Sequence, residues 1–288
     1  MTSFLTFYEN VNNNMVIGKT MKIVATGDIH YDLMRNLTDH EKFCHFIENL
    51  KGENPDVLVL TGDTVGLGSS KLEECLNFFT DIAPVRLMVF GNHEYWSSEG
   101  DTFTHLEDMK ARIKGCGFKL LDEHPEIIDD IGFAGNCAWY DYSFAGTEAP
   151  PRSSYEKKMY SGHIIWNDVH MVRLGKTDGD YADELLAKLE GDIETLESQV
   201  DRIIVVTHHI GFAEMLSIQE DFPGLNFCNA FMGNRGLGDM LLRHPKVGYH
   251  VCGHTHFTKV VEKEHLISVN PGSTYDEKKF LPVTIRRG

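Results

Sequence analysis

Five times along this chain a short apolar, β-branched run ends abruptly in glycine, aspartate, asparagine or histidine. The runs are KIVATGDIH (22–30), DVLVLTGD (56–63), VRLMVFGNHE (85–94), RIIVVTHH (202–209) and YHVCGHTH (249–256). Short runs of this kind, closed by a turn signal, read as buried strands. Between them lie stretches of helical period. Residues 39–52 place Phe43, Phe46, Ile47 and Leu50 on one face and end in glycine. Residues 69–82 and 104–117 behave alike, and 181–199 align Leu185, Leu189, Ile193 and Leu196 opposite an acidic face. Strands alternating with helices predict a layered α/β domain. Met21 opens the first strong strand, so 21–288 reads as a single domain and 1–20 as an N-terminal extension. Residues 137–180 break the pattern. They are rich in Trp and Tyr, carry Pro150–Pro151 and show no period. They predict a long, ordered excursion over one end of the sheet.

Each of the five runs ends in groups that bind metals. The inventory is Asp28, His30, Asp63, Asn92, His93, Glu94, His208, His209, His254 and His256. In an open α/β sheet, functional groups collect at the carboxyl ends of the strands. One aspartate after a strand is ordinarily a cap or turn former. This many carboxylates and imidazoles brought together without a cation would leave charges and polar groups unpaired. Asp28-x-His30 and His254-x-His256 are pairs whose members can point to one region and serve different ions. Carboxylate, carboxamide and imidazole together suit Mn, Fe or Zn, and do not resemble an all-oxygen calcium cage. The ligands outnumber the about four of one zinc site, so two metal ions, divalent or trivalent, are expected.

The motifs GDIH, GD, GNHE, THH and GHTH, in this order, resemble those of the calcineurin-like metallophosphoesterase superfamily. The resemblance implies a four-layer αββα sandwich of two packed mixed β-sheets, with the metal site at the C-terminal ends of the strands. It implies that Asp28, His30 and His256 hold one metal, that Asn92, His208 and His254 hold the other, and that Asp63 bridges them. His93 corresponds to the histidine that faces the scissile phosphate without binding metal, and Glu94 to its carboxylate partner. The implied reaction is in-line attack on phosphorus by a hydroxide bridging the metals. His93, oriented by Glu94, protonates the leaving oxygen.

The substrate class is narrowed by what is absent. Serine/threonine protein phosphatases carry an arginine shortly after GD and another before GNHE; here those places hold Leu67 and Phe90. Lysine and arginine total 27 against 43 aspartates and glutamates, a formal charge of −16. Such a chain is a poor non-specific binder of nucleic acid or anionic membrane. A small-molecule phosphomonoester or phosphodiester is the expected substrate. A protein phosphatase, or a non-catalytic metal-binding scaffold of the same fold, is the alternative, and His93, which a scaffold does not need, favours the enzyme. His209 has no place in the implied metal shell and is a candidate substrate contact or supporting donor, with core packing as the alternative. Arg235, within the glycine- and asparagine-rich stretch 222–240, is a candidate phosphate contact because its planar fork suits phosphate oxygens, with an ordinary surface arginine as the favoured alternative. Trp139, Tyr140, Tyr142 and Trp166 are candidates for an aromatic lid, with core packing as the alternative. Tyr31, Asp32 and Arg35 are further rim candidates. Six cysteines without a CxxC pair read as reduced thiols of a cytoplasmic protein, and no apolar run is long enough to span a membrane.

Overall fold

The computed structural model describes residues 7–8, 19–34, 36–67, 69–97, 100–146, 150–216 and 224–287. In chain order the strands are Phe7–Tyr8 (β1), Thr20–Thr26 (β2), Val57–Leu60 (β3), Val85–Met88 (β4), Lys119–Leu120 (β5), Glu126–Ile128 (β6), Ile131–Asn136 (β7), Met159–Tyr160 (β8), Ile164–Ile165 (β9), Arg202–Thr207 (β10), Val247–Val251 (β11), Lys259–Lys263 (β12), Leu266–Asn270 (β13) and Leu281–Arg286 (β14). The helices are Leu37–Gly52 (α1), Leu72–Asn77 (α2), Thr102–Gly115 (α3), Arg152–Glu156 (α4), Asp168–Met171 (α5), Asp178–Glu197 (α6), Leu225–Asn229 (α7) and Arg235–Leu242 (α8).

The strands form two mixed sheets, ordered β1-β14-β2-β3-β4-β5 and β12-β13-β11-β10-β7-β6, with β8 and β9 as a separate hairpin. Side chains alternate across each strand, and that alternation builds three layers of core. Ile23, Ala25, Val57, Val59 and Leu87 face Phe133, Ile204, Val206 and Val251 between the sheets. The residues between them, Val24, Leu58, Leu60 and Met88, face outward onto Phe43, Leu50, Leu76 and Ile113 of the first helical layer. Ile203 and Val205 pack outward onto Leu189, Ile193 and Leu241 of the second. This is the expected αββα sandwich.

The helices begin where side chains can accept orphan backbone N–H groups. Asn36 caps α1, Asp101 caps α3 and Thr177 caps α6. All three caps lie ahead of the apolar period, so α1 and α3 start two residues, and α6 three, before the sequence pattern suggests. The expected helix over 69–82 is shorter: a 3-10 turn, Ser69–Lys71, leads into α2, which ends at Asn77. The chain must leave helical geometry before Pro84, since the residue preceding a proline is driven extended. Of the proposed N-terminal extension, Phe7 and Tyr8 pair in parallel with Val283 and Thr284 of β14.

Strands β2, β3 and β4 run parallel side by side, and so do β10 and β11. All five strand ends named by the sequence therefore open at one edge of the sandwich. The pairing continues past the strands: Asp28 N donates to Gly62 O, His30 N to Asp63 O and Tyr31 N to Thr64 O. The loops that carry the polar groups are thus braced by the sheet's own ladder.

Candidate metal centre

The backbone at this edge is held in an uncommon conformation. Asp28, His30, Asp63, His254 and His256 all have left-handed backbone, with φ between 44° and 69°. Non-glycine residues rarely sit there, and clusters of them mark functional sites. The turn turns each side chain inward while its amide still pairs with a neighbouring loop. Glycines make the approach possible. Gly62 has φ 91°, and a Cβ on Gly91 would lie 2.1 Å from Asp63 Oδ1.

Two groups of ligand atoms result. Asp28, His30 and His256 offer atoms within 4.8 Å of one another, as do Asp63, His208 and His254. His30 links them, since it forms a third such group with Asp63 and His93. Asp63 Oδ2 lies 3.3 Å from His208 Nε2 and 3.6 Å from His30 Nε2, which puts one carboxylate between the groups. Asn92 Oδ1 lies 3.1 Å from His208 Nε2, and His254 Nδ1 lies 3.0 Å from the same nitrogen. All seven candidate ligands thus meet at one edge.

Several of these rings are set as acceptors toward the centre. His208 Nδ1 donates to Thr61 O at 2.8 Å and His254 Nε2 donates to Phe231 O at 3.2 Å. The other nitrogen of each ring therefore faces the centre, where a metal can take it. Both nitrogens of His30 and Nδ1 of His256 are buried without a hydrogen-bond partner. Buried, unpartnered acceptors converging beside two carboxylates fit a cation site, because only a cation satisfies them together.

The electrostatics agree. Burial raises the Asp28 carboxyl, and it drives the His30 and His254 imidazoles well below their ordinary range. Burial also opposes ionisation of Asp63, but the neighbouring imidazoles of His208, His93 and His30 outweigh it and hold that carboxyl low. Burial lowers His208, yet the Asp63 and Asp28 carboxylates pull it up to about 9. The cluster therefore draws positive charge to its centre.

His93 lies at the mouth. Its Nε2 is 3.9 Å from Asp63 Oδ2, its side chain is 12% exposed, and its ring stacks on Trp96 at 3.8 Å. Glu94 is placed differently from expectation. Its carboxylate accepts the backbone N–H groups of Asp63, Thr64, Val65 and Gly91 and makes no hydrogen bond to His93. The 3-10 turn Asn92–Tyr95 sends neighbouring side chains in different directions, so adjacency in sequence is not contact. Burial, reinforced by Asp63, raises the Glu94 carboxyl to about 8. The residue braces the turn that carries Asp63.

His209 and Arg235 take their alternative roles, a packed ring and an exposed arginine, and not that of substrate contacts. His209 is fully buried, and its Nδ1 donates to Cys137 O at 2.9 Å. It packs behind His254 with ring centroids 4.4 Å apart and does not line the cavity over the site. Arg235 turns away: its Nε donates to Ser143 O, and its guanidinium lies over Phe144. The first turn of α8 packs against the 141–144 loop and fixes that direction. Of the rim candidates, Tyr31 is buried with its hydroxyl on Glu74, Asp32 accepts Gly66 N, and Arg35 lies outside the described residues.

The expected lid resolves into core and rim. Trp139 and Tyr140 are fully buried and Tyr142 nearly so; of the four aromatics only Trp166 lines the cavity. Sequence reasoning missed the residue that organises them. Asp168 is buried and accepts four donors: Asn92 Nδ2 at 3.0 Å, Trp96 Nε1 at 2.6 Å, Tyr140 OH at 2.8 Å and Trp166 Nε1 at 2.8 Å. It takes the Asn92 amide N–H, which leaves Oδ1 facing the cluster, and it holds the Trp96 ring under His93. Its only sequence signal is an aspartate close after a tryptophan in a segment without period.

A double-sheet sandwich that gathers five strand ends around two adjoining nitrogen and oxygen clusters defines a metal-dependent phosphoesterase. The sequence profile of the calcineurin-like phosphoesterases matches residues 21–257, and the chain belongs to that family. Among solved structures it is similar to a phosphopantetheinyl hydrolase from Mycobacterium tuberculosis, at TM-score 0.71 and 15% identity over 92% of this chain and 97% of that one. It is also similar to a dimetal phosphatase from Danio rerio, at TM-score 0.59 and 12% identity over 93% and 99% of the two chains. At these identities the likeness is one of fold. No curated protein sequence matches the chain significantly. Among the described residues no helix is long and apolar enough to cross a membrane.

Proposed function

We propose that the protein hydrolyses a phosphomonoester or phosphodiester of a small molecule, using two ions of Mn, Fe or Zn. Asp28, His30 and His256 would hold one ion, Asn92, His208 and His254 the other, with Asp63 shared. The ions, when bound, supply Lewis acidity toward water and toward the phosphoryl oxygens. The chain's own residues do the rest. His93 is the general acid at the leaving oxygen, its ring steadied by Trp96. Glu94 holds the Asp63 turn, and Asp168 sets the Asn92 amide. The observation that carries this reading is the pairing of the two ligand groups with an imidazole, His93, that faces the cavity beside them.

Two positions support a small-molecule substrate over a protein phosphatase. Phe90 is buried against Tyr95 in the helix-side core, and Leu67 is 60% exposed, so neither offers a cation to phosphate. The test is hydrolysis of p-nitrophenyl phosphate and its bis ester with each metal. His93→Asn should lower kcat by roughly 10²–10⁴-fold while metal content per chain stays unchanged. Full activity in that variant, or no turnover of either ester with any of the three metals, would overturn the reading.

A further inference from the structure

Given that reading, the walls of the cavity define the substrate further: we infer a phosphodiester, monoanionic, whose two alcohols are apolar or aromatic. The cavity over Asp63 and His93 has a volume of about 420 Å³, within the range of small-molecule sites. Beyond the candidate ligands and His93, its lining is Trp96, Ile165, Trp166, Leu225, Cys228, Met232, Phe257 and Tyr275, with Asn167, Asp168, Asn229 and Thr255 as the polar members. Among the described residues no lysine or arginine lines it. The nearest candidate, Lys278, turns its ammonium onto the carbonyls of Asp28 and Thr274.

Charge and shape then select one class. A dianionic monoester or a polyphosphate brings more negative charge, and sites for such groups commonly add cationic side chains to meet it. A diester carries a single charge and projects a substituent to either side of phosphorus. Here most of the lining outside the ligand cluster is apolar or aromatic, and the mouth exposes large hydrophobic surface: Ile165 and Phe257 are each 39% exposed and Tyr275 58%. Such surface at a site mouth is explained by a ligand that covers it. Tyr275 also lines a second cavity of about 840 Å³, whose lining mixes Phe43, Phe46 and Phe280 with charged residues such as Asp39, Lys42 and Lys279.

The experiment compares bis(p-nitrophenyl) phosphate, methyl p-nitrophenyl phosphate and p-nitrophenyl phosphate on the Mn²⁺-loaded enzyme. The expected order of kcat/KM is aryl diester, methyl diester, monoester, with at least ten-fold between first and last. Trp166→Ala and Tyr275→Ala should each cost the aryl diester at least five-fold more than the methyl diester. Binding gives a readout apart from turnover: diphenyl phosphate should quench tryptophan fluorescence of the Zn²⁺-loaded protein at lower concentration than inorganic phosphate does. A monoester turned over as well as the aryl diester, or equal binding of diphenyl and inorganic phosphate, would overturn the inference. Loss of all hydrolysis would instead strike the proposed function.

Discussion

At His208 the ring nitrogen that points away from the cluster donates to Thr61, and the other faces Asp63, Asn92 and His254. His209, next in sequence, lies beside it with ring centroids 5.1 Å apart, but it donates to Cys137 and packs against His254. The doublet therefore separates into two roles. Metal analysis should read this directly: His208→Ala should retain about one ion per chain fewer than the parent, and His209→Ala should keep the parental content. An equal loss in both would refute the assignment. Residue type and position after a strand made the seven candidate ligands legible in the sequence. Side-chain direction was not legible. Glu94 follows His93 yet serves the backbone, and Arg235 has the right chemistry but a helix start turns it onto Phe144.

Between elements, two buried polar groups carry much of the organisation. Asp168, at the start of α5, ties the irregular 137–180 segment to the turn after β4 through Asn92 and Trp96. Groups that orient metal ligands typically matter by roughly 10–100-fold in affinity. Asp168→Asn should weaken metal binding by that much, measured by competition with a chelator, while far-ultraviolet circular dichroism stays parental. Across the second sheet, His250 on β11 joins β10 and β13. Thr207 gives its own proton to His209 O, so His250 Nε2 donates to Thr207, and its Nδ1 pairs with Ser268 Oγ at 2.8 Å. Burial pushes this imidazole down to about 3. The sign follows: the folded state refuses a proton that the unfolded chain accepts near pH 6.5. The stability contribution is complete above that value and is lost as pH falls toward about 3, at up to about 1.4 kcal/mol per pH unit. Denaturant titrations at pH 7, 6 and 5 should show that slope reduced by about one proton in His250→Gln. The long segment was unreadable for a related reason: its order comes from buried carboxylates meeting distant donors, which leaves no period behind.

Over the whole molecule, the two sheets and their helices follow from alternation along the strands, which is why the sandwich could be anticipated from the apolar runs. The edge they share carries the unsatisfied groups. Ligands that bind only the folded state stabilise it by about 2.7 kcal/mol at a hundred-fold excess over Kd. Mn²⁺ should therefore raise the thermal midpoint by several degrees, chelation should reverse it, and Asp63→Ala should abolish the response. One feature of that edge bears on how such a protein changes over generations. Five candidate ligands sit in left-handed backbone, where glycine would relieve strain of order 1 kcal/mol at each. Robustness and reactivity thus pull against each other at the same codons. A lineage freed from the need for turnover would drift downhill, shedding strain with each ligand lost, and the architecture would outlast its chemistry.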